Sequence, residues 1–294
     1  MKRIRFLKES SPGVLPEAEI ENYYTQPLEQ FIDMFLPMDS SYILVNETEP
    51  ADICFYSVQH INEDLLRDNE LNIFFSIENL RYNGHKGGKY AYYNKFGAYG
   101  SKKTDIFIMN DESYEYREED KIVIPVIQCR IQYFNRIENI FNEHMNTTFE
   151  DKKFALMISR NGLNDNKEVL FRDLKQLGEV DIIHMYPELK TKTCYNSLEL
   201  LNVFNKYKFI VVCENSHTPG YITEKIFNVF LAKSIAIYDG APNITEFIKP
   251  GCYIPYGNNL LQIIKALMNN KNMYNKIVNN EKIQEKYKDI TIKY

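Results

Sequence analysis

Residues 213–228 read CENSHTPGYITEKIFN, a short segment that gathers an acid, an amide, a histidine, a Pro-Gly pair and a Glu-Lys pair. It follows the apolar, strand-like run FIVV at 209–212 and precedes Ile226, Val229 and Phe230, whose spacing is helical. Asn215 to Gly220 can turn the chain. Thr223 ahead of Glu224 and Lys225 is a fitting helix start, although the Glu expected three residues after a Thr cap is absent. A strand–loop–helix unit sets unpaired N–H groups and the positive end of the helix dipole at the carboxyl edge of a sheet, where anions bind. Lys225 in the first turn adds a full charge suited to a phosphate. Glu224 would be repelled by a phosphate and is better suited to accepting hydrogen bonds from the hydroxyls of a ribose or a sugar. On spacing alone a solvated Glu-Lys pair stays open.

The elements that must position these residues are legible as two series of short, mostly apolar runs. The first comprises KRIRFL, YILVN at 42–46, DICFYSV at 52–58, NIFFSIE at 72–78, DIFIMN at 105–110 and KIVIPVI at 121–127. The second comprises KFALMIS at 153–159, VDIIHM at 180–185, KFIVVCE at 208–214 and SIAIYDG at 234–240. Runs that are apolar throughout suit parallel strands covered on both faces. Helical spacing lies between them, as in LFRDLKQLG and TEKIFNVFLAK. The polar stretch FNEHMNTTFEDKK separates the series, so two doubly wound α/β domains are expected, 1–150 and 151–294, the second ending in a polar helical tail. Residues 83–103, rich in Gly, Tyr and Lys, read either as a surface excursion or as a platform for a second substrate.

Bulk properties narrow the function classes. The chain has 294 residues, 44% hydrophobic and 26% charged, enough for two domains of about 150 residues each with full cores. A net charge of −5 gives no global attraction to nucleic acid or an anionic membrane, so a phosphate needs a local basic site. Five cysteines without CxxC spacing read as reduced core residues, which suits a cytoplasmic setting. The Lys-, Asn- and Ile-rich composition suggests a bacterial or viral gene, and hence a bacterial cytoplasm or a viral host cell. No signal-peptide core and no transmembrane run occur, and peripheral membrane contact stays open. The N-x-[ST] triplets at Asn46, Asn146 and Asn243 are then chance matches.

The order E-N-S-x(3)-G-Y-I-T-E-K-I-F-N-x-F-L-A, followed by I-A-I-Y-D-G-A-P-N-I, resembles the donor-site signature of the α-1,3-fucosyltransferases, the family 10 glycosyltransferases. EPADICFYSV at 49–58, FFSIEN at 74–79, and TDIFIMND followed by IVIP are similar to earlier strands of that family. The resemblance covers about residues 25–255 and is strongest in the second half. It implies a GT-B architecture, two Rossmann-like domains facing a cleft, with an N-terminal acceptor domain and a C-terminal domain for GDP-fucose.

The resemblance further implies an inverting, single-displacement transfer of L-fucose to a hydroxyl of an oligosaccharide or glycoconjugate, α-1,3 to a GlcNAc-type unit. Carried over residue by residue, the donor pocket comprises Glu214, Asn215, Tyr221, Glu224 for ribose or fucose hydroxyls, and Lys225 for the diphosphate. Glu78, at the end of the FFSIE strand, matches the position of the base; a strand-end acid tied to Arg81 is the alternative. Where the family carries an arginine after the first donor-domain strand, this chain aligns Lys167, with Arg160 and Arg172 as substitutes. A lysine there keeps the charge but loses the bidentate fork. No D-x-D triplet occurs, the near-misses being NDN at 164–166 and EAEIE at 17–21. The five histidines (His60, His85, His144, His184, His217) lack ligand spacing, so no metal and no cofactor are expected. His217, inside the signature, is either a ligand contact or a plain loop residue. Two other readings remain: a relative using a different GDP-sugar, and a lapsed protein that only binds sugar nucleotide or glycan.

Overall fold

The computed structural model describes residues 1–7, 41–57, 63–75, 103–109, 122–159, 165–184 and 198–290. Glu78, Arg81, Arg160, His60, His85, Cys194 and, of the 83–103 stretch, all but Lys103 lie outside the described residues. The chain divides into two compact units. One is built on Met1–Arg130, the other on Ile131–His217 with Ile222–Ile290.

The first unit holds a six-stranded parallel sheet of β1 (Lys2–Phe6), β2 (Tyr42–Val45), β3 (Ile53–Ser57), β4 (Leu71–Phe75), β5 (Ile106–Met109) and β6 (Ile122–Pro125), in the order β2-β1-β3-β4-β5-β6. Successive side chains point to opposite faces of a strand, and both faces are apolar here. Ile53, Phe55, Ile73, Ile106 and Ile108 join one buried cluster, while Cys54, Tyr56, Phe74 and Phe107 join another. The buried charge in this unit is satisfied internally. Arg5, fully buried, donates through Nε to Glu70 at 2.7 Å, and Glu70 also accepts from Arg67 at 3.0 Å and from the Ala51 N–H at 2.9 Å.

The second unit holds a five-stranded parallel sheet of β7 (Lys153–Ser159), β8 (Val180–His184), β9 (Tyr207–Cys213), β10 (Ile235–Asp239) and β11 (Ile254–Pro255), in the order β11-β10-β9-β7-β8. Its helices are α1 (Val126–Asn142), which begins in the first unit, α2 (Asp165–Lys175), α3 (Leu198–Asn205), α4 (Glu224–Leu231), α5 (Leu260–Met268) and α6 (Lys271–Asn279). Six of the eight residues of α4 are buried, so it is apolar on most sides, as a helix enclosed in a core must be. Phe134 of α1 stacks against its Phe227 and Phe230 at ring-centroid distances of 5.4 and 6.2 Å.

Three differences from the sequence expectation have physical reasons. The run KIVIPVI does not stay extended to 127, because Pro125 ends β6 and Val126 already belongs to α1. A proline lacks the N–H a ladder needs and favours the first turn of a helix. The units part within α1, at Arg130/Ile131, whereas 150/151 lies between α1 and β7. The tail is helical over 271–279, as its composition suggested, but it is part of the core. Tyr274 is 1% exposed and donates to the Lys208 carbonyl at 3.1 Å, and Lys282 folds back onto the last carbonyls of α6, those of Ile277, Val278 and Asn280.

Lys152 is also buried, at the start of β7. It donates to the carbonyls of Asn205 and Tyr207 and to Ser234 Oγ, and no carboxylate among the described residues pairs with it. Three acceptors fit the three N–H bonds of an ammonium, yet burial, aided by the like charges of Lys208 and Lys233, lowers its pKa to about 7. The unfolded chain therefore holds an extra proton between about pH 7 and the ordinary lysine value of 10.5, and stability rises with pH across that window. Below pH 7 the whole burial penalty is present. Urea unfolding at pH 7 and pH 9 is expected to show the wild type gaining about 1–2 kcal/mol relative to Lys152→Met. Parallel profiles for the two proteins would show that Lys152 does not titrate there.

Candidate functional site

In the second sheet β7 lies between β8 and β9, so the chain runs outward from β7 in one direction and then returns to build the other. That reversal is a topological switch point, where the loops leaving adjacent strands diverge and open a crevice at their carboxyl ends. The segments leaving here are the one that enters α2 after β7 and the one that enters α4 after β9. The CENSHTPGYITEK stretch is the second of them.

Between β9 and α4 the chain is shaped by specific local chemistry. The Tyr221 N–H bonds the Thr218 carbonyl at 3.1 Å, with Pro219 second in the turn and Gly220 third at φ +77°. Proline there and a positive-φ glycine after it are the requirements of a type II turn. Thr223 is extended (φ −95°, ψ −178°) and caps α4, its Oγ1 accepting from the Lys225 N–H at 3.4 Å. The acid missing from the capping position within the helix is supplied from outside it. Glu214 accepts the Thr223 N–H at 2.8 Å, the bond a box Glu would make, and the Thr223 hydroxyl at 2.8 Å.

Glu214 also fixes Lys225. The Lys225 Nζ lies 3.1 Å from Glu214 Oε2 and donates to the Cys213 carbonyl at 2.9 Å. The Glu214 side chain is 0% exposed and that of Lys225 is 32% exposed. Burial pushes the Glu214 pKa up, while Lys225 and the Thr223 N–H hold it down; the negative charge of Glu224 adds to the rise. An ammonium has three N–H bonds, and these two partners are the ones it has among the described residues. Glu214 itself, expected among donor contacts, acts on the site through Thr223 and Lys225, because both its oxygens are engaged within the protein.

A second lysine converges on the same point. The Cys213 thiol, at the end of β9, is pushed up to about 11 by burial, with Asp239 and Glu214 adding to the rise and the positive charges of Lys167 and Lys225 opposing it. Lys167 is half-buried in the first turn of α2, whereas Arg172 is exposed in its last turn. Lys167 and Lys225 thus stand in the first turns of the two helices that follow the adjacent strands β7 and β9. Asn215 is exposed, Glu224 half-buried, and Tyr221 only 2% exposed. His217 lies 2.6 Å from Asp239, the last residue of β10. Among the described residues no three His, Cys, Asp or Glu side chains come together as metal ligands.

Sequence reasoning passed over Asp239 and Gly240. A Cβ on Gly240 would lie 2.6 Å from Glu214 Cγ and 2.5 Å from the Tyr238 hydroxyl, so this glycine is needed for β10 to approach the Glu214 side chain. Its signals in the sequence are its place at the end of the run SIAIYDG and inside the signature I-A-I-Y-D-G-A-P-N-I, neither of which assigns it a role.

Comparison with known proteins falls on the same segment. Residues 148–289 match the model of the glycosyltransferase family 10 (fucosyltransferase) C-terminal domain. This region belongs to glycosyltransferase family 10. The chain is 35% identical over 118 residues, 37% of its length, to a protein of Acanthamoeba polyphaga mimivirus named as a fucosyltransferase. It is 34% identical over 98 residues, 30% of this chain, to alpha-(1,3)-fucosyltransferase B of Drosophila melanogaster. The match spans about a fifth of the length of each relative, 20% and 22%. The crystal structure of an alpha1,3-fucosyltransferase with GDP-fucose is similar over 95% of this chain and 81% of its own, at a TM-score of 0.57 and 16% identity. The two parallel-sheet units are accordingly those of the GT-B fold.

Two substitutions test the geometry of the family 10 domain. Gly240→Ala forces the Glu214 side chain aside and is expected to destabilise by about 1–3 kcal/mol in urea unfolding. Thr223→Val removes the cap and is expected to lower stability by about 1 kcal/mol. Wild-type stability of either variant would contradict the contacts described.

Proposed function

We propose that the protein transfers L-fucose from GDP-fucose to a hydroxyl of a glycan, with the α-1,3 bond to a GlcNAc-type unit as the linkage. The observation that carries the reading is the placing of Lys167 and Lys225 in the first turns of the two helices that follow β7 and β9, on either side of the switch point, within a family 10 domain. A helix start with two ammonium groups can neutralise a diphosphate, the leaving group of a nucleotide sugar. The fucosyltransferase names of the relatives, and GDP-fucose in a protein of the same fold, support that diphosphate as GDP.

In the reaction proposed, an acceptor oxygen attacks the anomeric carbon opposite the leaving group. The bonding pair of the old C–O bond goes to the β-phosphate of GDP, and the hydroxyl proton goes to Glu78. Lys225 and Lys167 take up the charge that appears on GDP, so the transfer is proposed to invert the anomeric carbon and to need no divalent metal. Glu224 is assigned the ribose or fucose hydroxyls, with Asn215 and Tyr221 completing the donor pocket. The setting proposed is cytoplasmic, where Cys54, Cys129, Cys213 and Cys252, all free, stay reduced. No helix among the described residues is long and apolar enough to cross a membrane.

Incubation with GDP-fucose and N-acetyllactosamine-type acceptors is expected to release GDP at a rate unaffected by EDTA. Lys225→Ala should weaken GDP binding at least about ten-fold by calorimetry, the loss of a charged hydrogen bond. Glu78→Ala should bind GDP normally and lose transfer by about 100-fold or more. Absence of GDP binding by the wild type would end this reading.

A further inference from the structure

A second polar pair stands at the same sheet edge and has no part in the mechanism above. His217 Nε2 and Asp239 Oδ1 lie 2.6 Å apart, joining the loop after β9 to the end of β10 across 22 positions of sequence. The His217 side chain is 61% exposed and that of Asp239 23% exposed. Among the described residues Asp239 has no other ion-pair partner. The pairing repeats in side chains what the backbone does next to it, where the Glu214 N–H bonds the Asp239 carbonyl at 2.8 Å. Glu214 is thus tied to β10 at the beginning of the loop, and His217 three residues later, immediately before the Thr218–Tyr221 turn. Asn215 and Ser216 run between the two ties, with the Asn215 side chain exposed and Ser216 buried.

We propose that His217, held by Asp239, is a positioning residue for the nucleotide-sugar donor: the tie fixes the path of the chain that presents Asn215. The inference rests on the reading of this edge as the donor site. With Nε2–H given to the carboxylate, the ring is held in one orientation and the loop cannot swing away from β10 without breaking a charge-assisted bond. The alternative is an incidental surface pair, which contributes little to anything. The two differ in what they do to donor binding. A tie that shapes the empty site lowers the fraction of protein ready to bind when it is cut, and so raises KM for the donor, while the reacting groups work as before once the donor is bound.

The test uses the full chain and begins with GDP binding by the wild type in calorimetry. If the wild type does not bind GDP, both the donor-site reading and this inference fall. If it binds, His217→Ala is expected to raise the donor KM and the GDP Kd by about five-fold, the worth of one hydrogen bond, with kcat at saturating donor within about two-fold of wild type. His217→Gln keeps an N–H for Asp239 and should recover most of the loss. Asp239→Ala should act in the same direction, and the double variant should be no worse than the weaker single, because both cut one bond. An unchanged donor KM in His217→Ala overturns the inference and leaves the donor site standing. So does a fall in kcat without a change in KM, or a KM change in the Gln variant that follows a loss of melting temperature.

Discussion

The candidate site is organised around one buried carboxylate. Glu214 sits at the end of β9 with its side chain shut off from solvent, and its two oxygens hold the capping Thr223 and the Lys225 ammonium. Burying an acid is unfavourable unless its charge is matched and its lone pairs are filled, and here both conditions are met by the first turn of α4. The arrangement therefore works in both directions. The helix makes the carboxylate tolerable, and the carboxylate sets where the helix begins and where its lysine points. The close approach of β10 to that carboxylate also leaves no room for a side chain at Gly240.

Around that centre the parallel sheet supplies direction. Strand order places the carboxyl ends of β7 and β9 side by side, and each strand is followed by a segment carrying a lysine into the first turn of a helix. Two positive groups that are 58 positions apart, Lys167 and Lys225, enter the helices that follow two adjacent strands because the topology reverses there. Phe134 packs against Phe227 and Phe230 of α4, so the helix is held by packing as well as by its cap.

Much of this was legible in the sequence, and the exceptions share a cause. Continuous apolar runs identified β1 to β10, β7 at 153–159 to the residue, while the two-residue β11 is too short to leave such a run; the Thr-Glu-Lys start of α4 was apparent from its cap and spacing. The order of the signature pointed to Glu214, but a string of letters does not say which way a side chain turns, and this one turns inward. Lys152 and Lys282 lie in polar stretches of the sequence, yet both are buried and donate to backbone carbonyls. Helix α1 was hidden behind Pro125, since the apolar residues on either side of it look alike and only the lost N–H marks the change of structure. Contacts between residues far apart in sequence, such as His217 with Asp239, leave no local trace.

The place of Tyr274 carries a consequence for how the protein is made. Its ring sits beneath the second sheet against Phe149 and Phe209, and the backbone after it closes back onto α1, where Asn135 donates to the carbonyls of Tyr287 and Lys288. A ribosome synthesises these residues after nearly every strand of that sheet has emerged. The part of the sheet that Tyr274 covers must therefore wait, apolar and uncovered, until α6 has emerged, and over that interval a chaperone has apolar surface to shield.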